Sequence, residues 1–181
     1  MKYFKKLVGE RIYLSPMNQE DIETYTKWLN DFSVTDGLGM SSRVTSLEGE
    51  RSYIESMTKH GEYQFAIVDK ETDTLLGNSG FSSIDNINQT AEVGLFIGDE
   101  EKRNKGIGTE VLNLLIKYGF EYLNLNNIML KVYSFNERAI KCYKKTGFKE
   151  FGRRHKSKFI KNCWYDIIYM EILREDYFKE K

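Results

Sequence analysis

A basic turn that contains two glycines, set between an apolar segment and a long amphipathic run, constrains this chain most. Residues 93–97 (Val-Gly-Leu-Phe-Ile) have the composition of a strand, and residues 110–123 have the periodicity of a helix. Between them, residues 103–109 read Arg-Asn-Lys-Gly-Ile-Gly-Thr. The first turn of a helix carries N–H groups without intrahelical partners, and the helix dipole favours negative charge there. Because glycine lets a ligand approach the backbone closely, the turn predicts a phosphate site.

The spacing of the glycines limits which class of phosphate ligand the turn can bind. A Walker loop requires GxxxxGK followed by Ser or Thr, and the chain contains no such run. A dinucleotide fingerprint requires GxGxxG, but Val111 stands at its third glycine position. The remaining pattern is Arg/Gln-x-x-Gly-x-Gly/Ala, which Arg103, Gly106 and Gly108 match in full. It resembles the acyl-CoA pyrophosphate loop of the GNAT superfamily of N-acetyltransferases.

A second stretch is similar to another conserved segment of that superfamily. Residues 136–148 match the pattern N-x-x-A-I-x-x-Y-x-K-x-G-F. On a helix, Asn136, Ile140 and Tyr143 fall on one stripe, and Gly147 suits the left-handed position that ends a helix. Further segments resemble the branch named for ribosomal-protein N-terminal acetyltransferases (RimJ/RimL-type), which also contains polyamine and amino-sugar enzymes.

Composition and charge exclude several kinds of partner. A chain of 181 residues predicts a single domain over residues 1–181. The 27 basic and 27 acidic residues cancel, so no global field favours nucleic acid. Cys142 and Cys163, with His60 and His155, show no metal-ligand spacing, and we expect no metal. Since neither a signal peptide nor an apolar run of bilayer length is present, we expect a soluble cytoplasmic protein without membrane contact.

The remaining periodicity predicts a mixed sheet with helices on its faces, an α/β fold class. Strands are predicted around residue 12 and over residues 63–68, 74–83, 89–97, 127–133, 148–158 and 163–173. Helices are predicted over residues 19–29, 47–59 and 110–123 and after Asn136, with caps at Asn18 and Ser46. Residues 32–45 read as a loop, and the last hairpin turns at Lys161 and Asn162. The resemblance implies the GNAT fold, with about seven strands, a central splay and four helices.

The resemblance implies that acetyl-CoA is the co-substrate. Such enzymes place the thioester beside the strand before the glycine loop, where a splay from the parallel neighbouring strand exposes backbone N–H groups. Asn136 is expected either to bond the pantetheine or to cap its helix. The resemblance assigns cofactor binding to residues of the strand, the loop and the second stretch: Leu95, Phe96, Ile97, Arg103, Asn104, Lys105, Gly106, Ile107, Gly108, Thr109, Asn136 and Tyr143.

Acetyl transfer from a thioester to an amine needs a group that removes a proton and a group that returns one to the thiolate. An alkylammonium has a pKa of about 10, so little free amine exists at neutral pH. We expect direct attack, with Tyr143 as the general acid and Glu92 as the base, acting directly or through water. Glu55 and Asp36 are alternative bases. Cys142 lies off the Tyr143 stripe, which disfavours it as a nucleophile.

The sequence therefore predicts an N-acetyltransferase, an acyltransferase that acts on a primary amine. The acceptor stays open between a protein N-terminus, a polyamine and an amino sugar, because family and fold do not fix the acceptor pocket. A non-catalytic CoA-binding module that senses the cofactor is the alternative. Acceptor contacts are expected from residues 32–43, the helix at 47–59 and the turn near Asn162. Homodimers are common among relatives, and the closing hairpin offers an edge for one.

Overall fold

The computed structural model of the protein describes residues 2–60 and 63–179; for His60 it describes the backbone alone. The chain divides into two compact units: Met1–Gly80 with Leu95–Val111, and Phe81–Gly94 with Leu112–Lys181. A single domain over residues 1–181 stays a prediction. No helix in the described ranges has the length and apolar composition needed to cross a bilayer.

The first unit is built on an antiparallel series of strands. These are β1 (Leu7–Val8), β2 (Ile12–Pro16), β3 (Gln64–Asp69) and β4 (Leu75–Asp85), the last of which continues into the second unit. Leu14 of β2 lies opposite Leu7 of β1 and Ile67 of β3, so β2 lies between β1 and β3. Central strands are covered on both faces and favour apolar residues. Accordingly, β2 is buried from Ile12 to Ser15.

The first unit contains three α-helices, which lie between β2 and β3 in the sequence. They are α1 (Ile22–Leu29), α2 (Phe32–Leu38) and α3 (Leu47–His60), with a short 3₁₀ turn at Gln19–Asp21 before α1. The predicted caps are confirmed, since the Asn18 side chain accepts the Glu20 N–H and Ser46 Oγ accepts the Gly49 N–H. Such side-chain oxygens satisfy N–H groups that a helix cannot satisfy itself.

The prediction of a loop over residues 32–45 is wrong for its first half, which forms α2. Asp31 caps this helix by accepting the Ser33 N–H at 2.7 Å, and Gly39 ends it with φ of 68°. Val34 and Thr35 are buried. The glycines and hydroxyl residues of this segment favour a loop locally, but a cap at each end and burial of one face stabilise the helix.

The second unit contains a parallel pair of strands and a long hairpin. Its strands are the first part of β5 (Thr90–Ile97), then β6 (Asn127–Tyr133), β7 (Lys149–Ile160) and β8 (Cys163–Leu173). Its helices are most of α4 (Ile107–Glu121), α5 (Glu137–Lys145) and α6 (Arg174–Lys179). β5 runs parallel to β6, whereas β6 and β7 both pair antiparallel with β8.

Over the described residues, the strands follow the order β1-β2-β3-β4-β5-β6-β8-β7 in one mixed sheet. The mixed α/β class is confirmed. The sheet has eight strands and the described chain six α-helices, against about seven and four predicted. The additions are short elements, namely β1, α2 and α6, because short segments carry too few residues for periodicity to indicate them.

The closing hairpin turns where the sequence predicts. Ile160 lies opposite Cys163, and the two residues between them, Lys161 and Asn162, have φ of 50° and 62°. Two left-handed central residues match the right-handed twist of the flanking strands, as in a type I′ turn. Asn adopts this conformation more easily than most residues.

Gly77 in β4 allows the backbone of β5 to approach, and its replacement tests that contact. A Cβ at this position would overlap the Phe96 carbonyl oxygen and press on the Ile97 backbone. We expect Gly77→Ala to destabilise the protein by about 1–3 kcal/mol, since the clash is with backbone that cannot rotate away. Gly152→Ala is the matched control, because a Cβ there meets no atom within 4 Å. Urea unfolding followed by circular dichroism measures both; equal stabilities would contradict the contact.

Candidate functional site

The glycine turn leads directly into α4, which begins three residues earlier than predicted. Ile107, Gly108 and Thr109 form the first helical turn rather than a preceding loop. Before them, Asn104 and Gly106 have left-handed φ angles of 62° and 80°. Left-handed residues in a tight turn are typical of concavities in which successive N–H groups converge on an anion. The turn thus combines such a concavity with the positive end of a helix dipole.

Arg103 fastens the turn to the end of β5. Its Nε donates to the Ile97 carbonyl at 3.0 Å, and its Nη2 donates to the Gly98 carbonyl at 3.0 Å. Its Nη1 donates to Ser33 Oγ at 3.1 Å. The sequence predicts that Arg103 binds the cofactor. Because its guanidinium already bonds three protein groups, we infer that it acts mainly by holding strand and turn in register.

Lys102 and Lys105, the other cations of the turn, differ in their partners. Lys102 Nζ bonds Asp69 Oδ2 at 2.8 Å, and that bond lowers the pKa of Asp69 to about 2. Lys105 is exposed, and its ammonium forms no ion pair with any residue in the described ranges. Lys105 is therefore the turn cation with a charge available for a ligand.

Arg11, just before β2, is a residue of this site that the sequence does not reveal. Its Nη1 donates to the Lys105 carbonyl at 2.6 Å, and its Nε donates to Glu110 Oε2 at 2.9 Å. The Arg11 N–H also donates to Glu110 Oε1 at 2.8 Å. Arg11 thus braces the carbonyl side of the turn. Since 94 residues separate Arg11 from Lys105, no local pattern could link them.

A cleft of about 460 Å³ lies beside the turn within the first unit. It is lined by residues of both charges: Glu10, Arg11, Asp69, Lys70, Glu71, Lys102, Lys105 and Ile107. Lys102 and Arg11 are paired with Asp69 and Glu110, so much of the positive charge is neutralised by the protein itself. The cleft is therefore lined by ion pairs, and its walls would attract an anion only weakly.

The predicted splay corresponds to an early end of the parallel ladder. β5 pairs with β6 from Thr90 opposite Asn127 to Glu92 opposite Met129, although both strands continue beyond this point. Over the same length the burial pattern of β5 changes. Ala91 and Val93 are buried in alternation, whereas residues 95–97 are all half-buried. Beyond Val93, β5 therefore no longer alternates between a buried and a more exposed face.

An aromatic cluster packs against this end of β5. Tyr25, Trp28 and Phe96 contact one another edge to face, with ring centroids 5.8 to 6.4 Å apart. Trp28 also covers Gly98, where a Cβ would overlap the indole ring. Edge-to-face rings fix each other's orientation. Phe96 is thereby held by α1, and its position does not depend on the ladder.

The second stretch folds into α5 as the sequence predicts. The Asn136 side chain accepts the Ala139 N–H at 3.2 Å, so Asn136 caps the helix. At the other end, Gly147 has φ of 93°, and the Phe148 N–H reaches back to the Tyr143 carbonyl at 3.0 Å. This bond is typical of the left-handed termination that glycine favours. Of the two expectations for Asn136, the cap is confirmed, and pantetheine binding stays a prediction.

Tyr143 is half-buried on α5, with its ring 6.1 Å from that of Phe148. Burial, with a smaller contribution from the Cys142 thiol, raises the pKa of its phenol to about 12. A phenol with a raised pKa keeps its proton at neutral pH and is suited to donate it. Cys142 itself is a half-buried free thiol.

The candidate bases are carboxylates in different surroundings. Glu92 Oε1 forms an ion pair with Lys131 Nζ at 3.2 Å, within the second unit. Asp36 lies in α2 rather than in a loop, and its Oδ1 accepts the Ser41 hydroxyl at 2.6 Å. Glu55 is half-buried in α3. In the described ranges, no three His, Cys, Asp or Glu residues are grouped closely enough to hold a metal ion.

The predicted site residues divide between the two units. Leu95 to Ile97 and the whole turn from Arg103 to Thr109 belong to the first unit, together with Arg11. Glu92, Asn136 and Tyr143 belong to the second unit. Within the first unit, hydrogen bonds join β5, the turn and α4 into one assembly.

Comparisons with known proteins show which family the chain is similar to. A family model described as an acetyltransferase (GNAT) domain matches residues 11–149. The chain is 30% identical to Uncharacterized N-acetyltransferase p20 of Bacillus licheniformis, covering 94% of this chain and 97% of the relative. It is 31% identical to Probable N-acetyltransferase YjcK of Bacillus subtilis (strain 168), covering 94% and 98%. A solved spermidine N-acetyltransferase from Vibrio cholerae, in complex with CoA and spermine, superposes with a TM-score of 0.83 at 25% identity, covering 93% and 98%.

Glu110 provides a test of the brace between α4 and Arg11. Burial would raise the pKa of Glu110, but hydrogen bonds from the Arg11 N–H and guanidinium, and from the Ile12 N–H, together hold it below the ordinary value of 4.5. A lowered pKa contributes stability above pH 4.5 that is lost as pH falls through the folded-state pKa. We expect Glu110→Gln to cost about 1 kcal/mol at pH 7, since solvent partly screens Arg11, and almost nothing near pH 3.

Urea unfolding at the two pH values measures this difference. Glu101→Gln makes the same charge change at an exposed side chain and is the control. A stability loss in Glu110→Gln that stayed constant with pH would show that the carboxylate charge does not stabilise the brace.

Proposed function

The chain belongs to the GNAT acetyltransferase family and is an N-acetyltransferase, and from that premise we propose that it transfers the acetyl group of acetyl-CoA to a primary amine by direct attack. The conformation of the glycine turn carries the proposal. Left-handed residues at 104 and 106 precede a helix N-terminus, and Arg11 braces the turn from behind. This arrangement suits a diphosphate, which needs converging N–H donors and little side-chain bulk.

We assign the diphosphate of acetyl-CoA to the amides of Asn104 to Thr109, with Lys105 as the side-chain cation. Leu95, Phe96 and Ile97 are the proposed contacts of the pantetheine and the thioester carbonyl. The early end of the ladder supports this assignment, because the N–H groups on the β6 side of β5 lie outside that ladder beyond Glu92. Arg103 contributes by holding β5 and the turn together. Asn136 is the proposed pantetheine contact from α5.

In the proposed reaction, the amine nitrogen bonds to the acetyl carbon, and the bond from that carbon to sulfur breaks. The nitrogen loses one proton, and the leaving thiolate gains one. We propose that Tyr143 supplies the proton to sulfur, since its raised pKa keeps the phenol protonated. Glu92 is the proposed base, through a water molecule, because its carboxylate is half-buried at the last pair of the ladder.

The acceptor is proposed to be a small amine or a protein N-terminus. The similarity to a spermidine N-acetyltransferase supports a small aliphatic amine. We further propose that the chain belongs to the RimJ/RimL-like branch and works in the cytoplasm. A homodimer is proposed to form through the closing hairpin, where Phe151, Phe159 and Trp164 are exposed.

Release of free CoA from acetyl-CoA, measured with a thiol reagent over a panel of amines, tests the proposed activity. We expect amine-dependent thiol release that Gly106→Val reduces through a weaker affinity for acetyl-CoA. Valine disfavours the φ of 80° by about 1–2 kcal/mol, and its Cβ would press on the Arg11 guanidinium. Gly152→Ala is the control. Tight CoA binding without turnover on any amine would instead support a cofactor sensor, and unchanged affinity in Gly106→Val would contradict the role of the turn.

Tyr143→Phe tests the proposed general acid. We expect kcat to fall roughly 100-fold while the KM for acetyl-CoA changes little, since removal of the hydroxyl leaves the ring in place. Because the pKa of Tyr143 is about 12, the wild-type kcat should show no decline between pH 8 and 10 from loss of this proton. Tyr122→Phe, at an exposed tyrosine, is the control. Full activity of Tyr143→Phe would remove Tyr143 from the mechanism.

A further inference from the structure

Glu50, in α3, is a charged side chain that the first unit buries without a partner. Only 4% of its surface is exposed, and it forms no hydrogen bond or ion pair through its side chain with residues 2–60 or 63–179. The adjacent Arg51 pairs with Glu48 instead, at 3.6 Å. A buried carboxylate without a partner destabilises a protein. The proposed mechanism makes no use of Glu50.

The carboxylate oxygens of Glu50 nevertheless remain open to solvent. Among the described buried side-chain nitrogen and oxygen atoms, Ser79 Oγ alone lacks both solvent contact and a hydrogen-bond partner. Since Glu50 also has no hydrogen-bond partner, its oxygens must retain contact with solvent, and its methylene groups account for the burial. A cationic group of a ligand can therefore reach the oxygens from outside.

The surroundings of Glu50 are aromatic and apolar. Burial raises the pKa of Tyr53, and the Glu50 charge raises it further. The same charge acts on Tyr25, whose pKa is raised chiefly by burial. One helical turn along α3, Ile54 is fully buried against Tyr25 and Ile22. Burial also raises the pKa of Glu50 itself, as expected of a carboxylate in a poorly solvated site.

Tyr25 connects Glu50 to the strand that is assigned to the thioester. The Tyr25 ring contacts Phe96 at 6.4 Å and Trp28 at 5.8 Å, and it lies within the electrostatic reach of Glu50. Ile54, one turn along α3 from Glu50, belongs with Tyr25 to the cluster against which Phe96 packs, so this part of α3 lies beside the end of β5. This placement suits a second charged group of an acceptor better than the nitrogen that attacks the acetyl carbon.

We propose that Glu50 binds a second ammonium group of the acceptor, so that the enzyme prefers linear diamines or polyamines to monoamines. The inference rests on the proposed acetyl transfer at β5. The ammonium supplies the counter-charge that Glu50 lacks, and the partial burial of Glu50 strengthens the ion pair relative to one in water. Glu50 is a specificity residue in this scheme, because it does not touch the reacting atoms.

The test compares butane-1,4-diamine with butylamine as acceptors for the wild type, Glu50→Gln and Glu48→Gln. Glu48 is the matched control, since it lies on the same helix with 82% of its side chain exposed. We expect Glu50→Gln to lower kcat/KM for the diamine about 10- to 100-fold and for the monoamine less than about 3-fold, as expected for loss of one charge-assisted hydrogen bond. Glu48→Gln should change neither value. The melting temperature of Glu50→Gln should be close to that of the wild type, because the Glu50 carboxylate forms no hydrogen bond or ion pair within the described residues for the substitution to remove.

Diamine binding to the enzyme without acetyl-CoA, measured by calorimetry, separates this inference from the proposed function. Diamine binding that weakens in Glu50→Gln supports the site even if no acetyl transfer is found. Acetyl transfer whose diamine-to-monoamine ratio is the same in wild type and Glu50→Gln overturns the site and leaves the function standing. A wild type that uses both amines equally, or accepts only peptide N-termini, overturns it as well.

Discussion

The proposed cofactor site depends on the brace that Arg11 forms between the glycine turn and Glu110. The turn is exposed at residues 104–106, and Asn104 and Gly106 are left-handed. Arg11 holds the Lys105 carbonyl and the Glu110 carboxylate at once, so that the turn and the first turn of α4 share one support. The N–H groups are thereby oriented before any ligand arrives, and a bound diphosphate would cost little ordering entropy.

A second support acts at the other end of the same segment. Arg103 joins the turn to the carbonyls of Ile97 and Gly98, and Trp28 packs on Gly98. The two arginines thus place their charge on protein groups, and in the proposed site the amides and Lys105 bind the ligand. The arginines position the turn and do not themselves bind the proposed ligand. Their contacts, with that of Trp28, hold residues 95–97 in place although β5 pairs with β6 only as far as Glu92.

Glu50 and Tyr143 illustrate opposite uses of burial. Burial of Tyr143 raises the pKa of a group whose protonated form is neutral, so the protein bears little cost and the phenol stays protonated. Burial of Glu50 disfavours its charged form, so the protein bears a cost that a cationic ligand would relieve. Sites that bind charge commonly reduce stability in the free protein.

The sequence by itself determined the family, the strand-turn-helix around residues 103–109 and the turn at Lys161 and Asn162, because each depends on residues close together in the chain. For Asn136 it left open a helix cap or a pantetheine contact, and the structure confirms the cap. The sequence indicated the wrong structure at α2, where propensity favours a loop and burial of Val34 stabilises a helix. Only the tertiary structure decided that Arg11 braces the turn, that Arg103 bonds protein carbonyls, and that Glu50 lies buried without a partner. Each of these depends on residues far apart in the chain, and a local sequence pattern does not indicate which distant residues come into contact.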